Sequence, residues 1–93
     1  MFVGIVRIEL HLPASGSLKA KRSVIRSLKE RIRVRVHAAV AEVDHQDSWQ
    51  RAAVGVAMIS NDPVHVHSCL DRIVDFVRQY RGLSMIDYEK NLY

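Results

Sequence analysis

One cysteine, Cys69, is all the chain contains, so no internal disulfide can form and packing alone must hold the fold. Such usage is expected of a protein in a reducing cytoplasm. Proline occurs twice and glycine four times in 93 residues, and no repeat, low-complexity stretch or linker interrupts the chain. Collagen-like and disordered classes are thereby excluded. No apolar run approaches the ~18 residues that cross a bilayer. The apolar opening from Met1 to Leu12 is broken by Arg7 and Glu9, so no signal-peptide core is expected there and the chain is expected to stay in the cytoplasm. Acid is almost missing from residues 18–35, where Glu30 stands alone among Lys19, Lys21, Arg22, Arg26, Lys29, Arg31, Arg33 and Arg35. That segment is +7, and because the whole chain is +4 the remainder is −3. Positive charge concentrated in this way implies an anionic partner better than a diffuse excess would.

Ninety-three residues suffice for one domain, here expected to span 1–93, and a single hydrophobic core. Phe2 to Leu12 reads as a strand, with Arg7, Glu9 and His11 alternating against apolar neighbours. Pro13 to Ser17 is a turn, with Ser17 placed to cap a helix from Leu18 to Arg33. In that helix Leu18, Lys21, Val24, Ile25, Leu28 and Ile32 fall at helical spacing, and Lys21 is the one polar member. The β-branched Val34, Val36 and Val40 suggest a second strand over about 36–43. A polar loop from Asp44 to Ser48 leads to a third strand over Trp49–Ser60. Asp62 followed by Pro63 opens a second helix, Gly82 closes it, and Leu83 to Leu92 forms a short fourth strand. Two helices cannot cover both faces of four strands, so both pack on one side. The fold class is therefore α+β, a ferredoxin-like α/β plait of order βαββαβ with a four-stranded antiparallel sheet. Right-handed crossovers place the first and third strands at its centre.

The strongest functional signal is the basic helix. Lys19, Arg22, Arg26, Lys29 and Arg33 recur at three- and four-residue spacing and share a broad face, as a protein following a phosphate backbone requires. With Lys21 they form the candidate nucleic-acid-binding set; a merely solubilising helix surface is the alternative. The turn Ser15-Gly16-Ser17 could hold an anion on free backbone N–H groups, but it lacks the spacing of a phosphate-binding loop, and a plain capping turn accounts for it. Asp44, His45 and Asp47 lie close enough in sequence to suggest metal binding or acid–base chemistry. Three ligands within four residues of a loop seldom converge, however, and His65 and His67 point to different sides of their helix. No catalytic residue, metal or cofactor is assigned. Trp49 could stack on a base, bury itself against a second copy, or pack into the core. With Asp44, His45 and Arg51 it makes up the candidate interface of a homodimer or higher oligomer, formed by the open sheet face and the hairpin.

Several segments carry a resemblance over nearly the whole chain. They are Ser17 to Arg22, Ala41 to Asp47, Trp49 to Ala52, Ile59 to Asp62 and Leu70 to Arg72, and together they resemble the YlxP-like family of small bacterial proteins. The resemblance implies a ferredoxin-like plait and no assigned activity. In some bacteria genes of this family lie beside those for translation initiation and ribosome-binding factor A, which implies a ribosomal or RNA role. Two other activities hosted by this fold do not transfer. The outward positions where RNA-recognition motifs carry stacking aromatics hold Arg7, Glu9, Arg51 and Ala53, and the turn after the first strand lacks the arginine of acylphosphatases. The expected function is non-enzymatic binding of RNA or the ribosome. An oligomeric protein-interaction module is the alternative, and a phosphate-handling or metal-dependent enzyme a remote one.

Overall fold

Alternation in the first strand sorts its side chains between two environments, and the rest of the architecture follows from that sorting. The computed structural model describes residues 1–93, and in it β1 runs from Phe2 to His11. Val6, Ile8 and Leu10 are fully buried on one face, while Arg7, Glu9 and His11 point the other way. The remaining elements are α1 (Leu18–Val36), β2 (Ala39–Asp44), β3 (Arg51–Ser60), α2 (Pro63–Arg78) and β4 (Ser84–Leu92). The strands form one antiparallel sheet in the order β2-β3-β1-β4. Both helices pack on the face that carries Val6, Ile8, Leu10, Val54 and Val56, giving a single cluster of 20 buried residues. Gly4 lets α2 approach β1 closely, because a Cβ there would fall 2.1 Å from the buried Val66 Cγ1. No helix is long and apolar enough to cross a membrane.

The helix ends follow the expected chemistry with shifted limits. Ser17 Oγ accepts from the Ala20 N–H at 3.0 Å, and Asp62 Oδ1 accepts from the Val64 N–H at 2.9 Å behind Pro63. The first helix runs on to Val36, three residues past the expected end, and β2 begins only at Ala39. Val36 continues the stripe of Ile25, Leu28 and Ile32 and is buried by it, so burial overrides the strand preference of a β-branched residue. His37 then turns left-handed at φ 51° and donates its N–H to the Arg33 carbonyl at 3.0 Å. The second helix closes at Arg78, and Gly82, at φ 92°, serves the turn into β4 rather than the helix end.

A buried ammonium joins the two halves of the molecule. Lys21 is completely buried; its Nζ donates to the carbonyls of His45 at 2.6 Å and Arg51 at 3.0 Å. The Glu42 Oε2 lies 2.9 Å away, an ion contact outside hydrogen-bond alignment. Two hydrogen-bonded carbonyls and a carboxylate in ion contact thus surround one side chain, and they come from both sides of the β2–β3 hairpin. A bulge in β2 between Glu42 and Asp44 makes this possible. Residues two apart on a regular strand share a face, but the extra residue sends Glu42 under α1 and Asp44 to the open side. Removing one partner of a buried pair leaves the other charged and unsatisfied. Lys21→Ala is therefore expected to lower unfolding stability by about 3–5 kcal/mol in urea titrations, and a loss under about 1 kcal/mol would show that the contact is dispensable.

Candidate nucleic-acid interface

Helical geometry divides the cations of α1 into three groups. At 3.6 residues per turn, Lys19, Arg22, Arg26, Lys29 and Arg33 fall within an arc of about 80°, extending roughly 21 Å along the axis. This flank faces away from α2, because Arg33 Nη2 donates to the Val40 carbonyl of β2 at 3.0 Å. Lys19, Arg22 and Arg26 are exposed, Lys29 is half-buried, and none of the four has a carboxylate within ion-pair distance. Arg33 is less free, being held by the Glu30 carboxylate as well as by Val40. The second group is Lys21 alone. Its membership of the nucleic-acid-binding set must be withdrawn: it lies on the apolar stripe, is sealed from solvent, and is satisfied by the hairpin. The third group, Arg31 and Arg35, faces α2, where Arg31 lies 5.7 Å from the Tyr80 ring centre and Arg35 4.1 Å from that of Phe76.

The open sheet face is electrostatically different. Arg7 Nη2 lies 3.0 Å from Glu9 Oε1 and 3.1 Å from Asp44 Oδ2, spanning β1 and β2. His45 Nε2 is 3.1 Å from Glu9 Oε2, and the guanidinium of Arg51 is 3.7 Å from the same oxygen. Every cation at this end of the sheet therefore already has a carboxylate. The residues marked in the sequence as a possible interface, Asp44, His45 and Arg51, are drawn together, but their polar groups are engaged inside the chain. Trp49 lies in the loop before β3 with 55% of its surface exposed, so core packing is not its role. Asp47 joins no ion pair, and no group of three His, Cys, Asp or Glu side chains converges to hold a metal. At the turn before α1 the Ser17 hydroxyl caps the helix and Ser15 Oγ donates to the Ser17 carbonyl, which is the capping arrangement.

Sequence reasoning missed the Lys21–Glu42 pair and a second basic cluster. Lys21 stood out as a polar residue in an apolar stripe, and that was the available signal for a buried partner. Arg31 and Arg35 come from α1, Arg72 from α2 and Arg81 from the turn after it, and only the packing of the two helices brings them to adjoining hollows.

Fold and charge define the class first: a ferredoxin-like plait whose sheet-face arginines are all paired with acids and whose helical layer is cationic. The family follows from comparison. The model described as "Protein of unknown function (DUF503)" matches residues 3–90. The chain is also 30% identical over 78 residues to the "Uncharacterized protein YlxP" of Bacillus subtilis (strain 168), an alignment covering 84% of this chain and 85% of that protein. It belongs to this YlxP-like family.

The sheet-face network carries its own pH dependence. Asp44 sits below its ordinary carboxylate range because the His45 N–H and then Arg7 bond its charged form. For Glu9, burial pushes the carboxyl upward, but the bonds from Arg7 and His45 outweigh it and leave a net lowering. A lowered carboxyl stabilises the fold above its unfolded value, and that contribution disappears as pH falls through the folded value. Arg7→Ala is thus expected to lower the melting temperature at neutral pH, with the gap to wild type narrowing once pH drops below the ordinary values of 4.5 for Glu9 and 3.8 for Asp44. A gap of constant size in melts from about pH 7 to about pH 2, a range that brackets both ordinary values, would show that the pairs contribute nothing.

Proposed function

We propose that this protein is a non-enzymatic RNA-binding protein, with ribosomal RNA among its fitting partners, and that it binds through the outer flank of α1. One observation carries the reading: Lys19, Arg22, Arg26 and Lys29 line one flank of a helix with no carboxylate within ion-pair distance, while the arginines on the sheet face are all paired. A protein that neutralises phosphates gains affinity from released counterions, and a row of unpaired cations supplies that gain without first breaking internal ion pairs. Such contacts position a polyanion and carry no base recognition by themselves. Four phosphate contacts predict a log–log slope of affinity against salt of about −3 to −4. In fluorescence anisotropy with a labelled RNA hairpin, the combined change Arg22→Glu, Arg26→Glu and Lys29→Glu is expected to abolish binding. Unchanged affinity after that reversal would end the proposal.

A second reading, self-association, is favoured by the far end of the same open sheet face. There Ile59 and Val43 are well exposed beside Val3 and Ile5, over a floor flattened by Gly55, Ala57, Ala39 and Ala41. Burying such a patch against its own copy would remove apolar surface from water on both subunits. The contact would then rest on these apolar strand residues rather than on the polar groups of the hairpin. Light scattering at high concentration is expected to give a dimer that Ile59→Asp dissociates, and a wild-type monomer under those conditions would remove the reading.

A further inference from the structure

The antiparallel C-terminal halves of α1 and α2 leave a groove between them on the helical side of the molecule. It has a volume of about 550 Å³ and an apolar floor that includes Ile32, Val36 and Ile73. A second hollow of about 530 Å³ adjoins it and shares Arg35, Phe76 and Gln79. Both fall within the ~300–1,000 Å³ of small-ligand sites. Four arginines rim the pair of hollows: Arg31, Arg35, Arg72 and Arg81. None has a carboxylate within ion-pair distance, and the lone acid of the lining, Asp75, sits 3.6 Å from Arg78. The one side-chain hydrogen bond of Arg72 is a long one, 3.4 Å, to the Arg35 carbonyl at the end of α1.

The chemistry of the rim is as informative as its charge. Arg35 lies over the Phe76 ring at 4.1 Å and lines both hollows, so the guanidinium face turned away from the ring borders open space. A planar cation backed by an aromatic ring is a stacking platform, and unpaired RNA bases stack on arginine planes as they do on aromatic rings. An amphipathic peptide would need a row of apolar pockets at helical spacing, whereas this groove offers one flat platform ringed by phosphate-matching forks. It also shares α1 with the flank of Lys19, Arg22, Arg26 and Lys29, across a helix roughly 10 Å wide. We propose that the groove holds one unpaired nucleotide of a bound RNA strand, with the base stacked on Arg35 and the flanking phosphates on Arg31 and Arg72. The assignment rests on the RNA-binding reading and narrows it to RNA with accessible unpaired bases.

The test separates the two. A short single-stranded RNA carrying 2-aminopurine and a fully paired RNA duplex are titrated into the full chain, with anisotropy reporting binding and 2-aminopurine emission reporting stacking. Wild type is expected to bind the single strand and change the emission. Arg35→Gln, and separately Arg72→Gln, should weaken single-strand binding roughly tenfold. They should change duplex affinity less than about twofold, the size expected of losing one screened charge. Only Arg35→Gln should erase the emission change, and melting temperatures should match wild type for these exposed positions. Equal weakening on both RNAs, or an emission change that survives Arg35→Gln, would overturn the groove assignment and leave the RNA reading standing. An acidic, aromatic-rich peptide whose binding needs Arg35 while the emission signal stays constant would overturn it in favour of a protein segment. Failure of wild type to bind either RNA at low salt would overturn the RNA reading and the groove with it.

Discussion

The ammonium of Lys21 is the contact on which the geometry of the molecule turns. It gathers two loop carbonyls and a carboxylate from the β2–β3 hairpin under the first helix, and it does so where no water competes. A buried lysine is costly to desolvate, and here the cost is offset by three acceptors that would otherwise be buried without a cation. The consequence reaches both faces. With the hairpin held under α1, β2 is placed beside β3, and the bulge next to Glu42 delivers Asp44 to Arg7 on the far side. The helical layer and the sheet-face network are therefore coupled through one short strand.

That coupling partitions the charge. Arginines on the sheet face are neutralised by Glu9 and Asp44, whereas most cations of the helical layer find no acid. A chain with a net charge of +4 thus presents two unlike surfaces, a strongly positive one and a sheet face where Asp87 and Glu89 add further acid beside Arg7 and Glu9. The RNA-recognition mode common in this fold stacks bases on the sheet. Here those sheet positions lack the aromatics and the face lacks unpaired arginines, so the unpaired cations of the molecule lie on the helical side.

Much of the fold was legible because its signals were local. The alternation of β1, the Ser17 and Asp62 caps and the apolar stripe of α2 each announce themselves within a few residues, and the strand order followed from crossover handedness. What was illegible depended on distant packing. Val36 reads as a strand residue until the buried stripe of Ile25, Leu28 and Ile32 is seen to include it. Lys21 reads as one more basic residue until Glu42 is known to reach it, and that requires a bulge that two alternating side chains do not disclose. The candidate site was legible as a charge row and wrong in one member for the same reason. Arg72 and Arg81 could not be assigned to a site at all, since the groove that collects them exists only between two packed helices.

The placement of charge within α1 bears on what those cations are for. A helix is stabilised by acids in its first turn and bases in its last, yet the first turn here has no acid and carries Lys19 and Lys21, with Arg22 just beyond. Only Arg33 and Arg35, in the last turn, suit the helix dipole. Arg22 and Arg26, Lys29 and Arg33, and Arg31 and Arg35 are like charges four residues apart, each pair costing about 0.2–0.5 kcal/mol. Burial explains Lys21, and packing on aromatic rings explains Arg31 and Arg35. Lys19, Arg22 and Arg26 have no carboxylate within ion-pair distance. Residues that oppose their local structure without an internal return concentrate where a protein meets its ligand, and three such cations on one flank are the support within α1 for the proposed anionic partner.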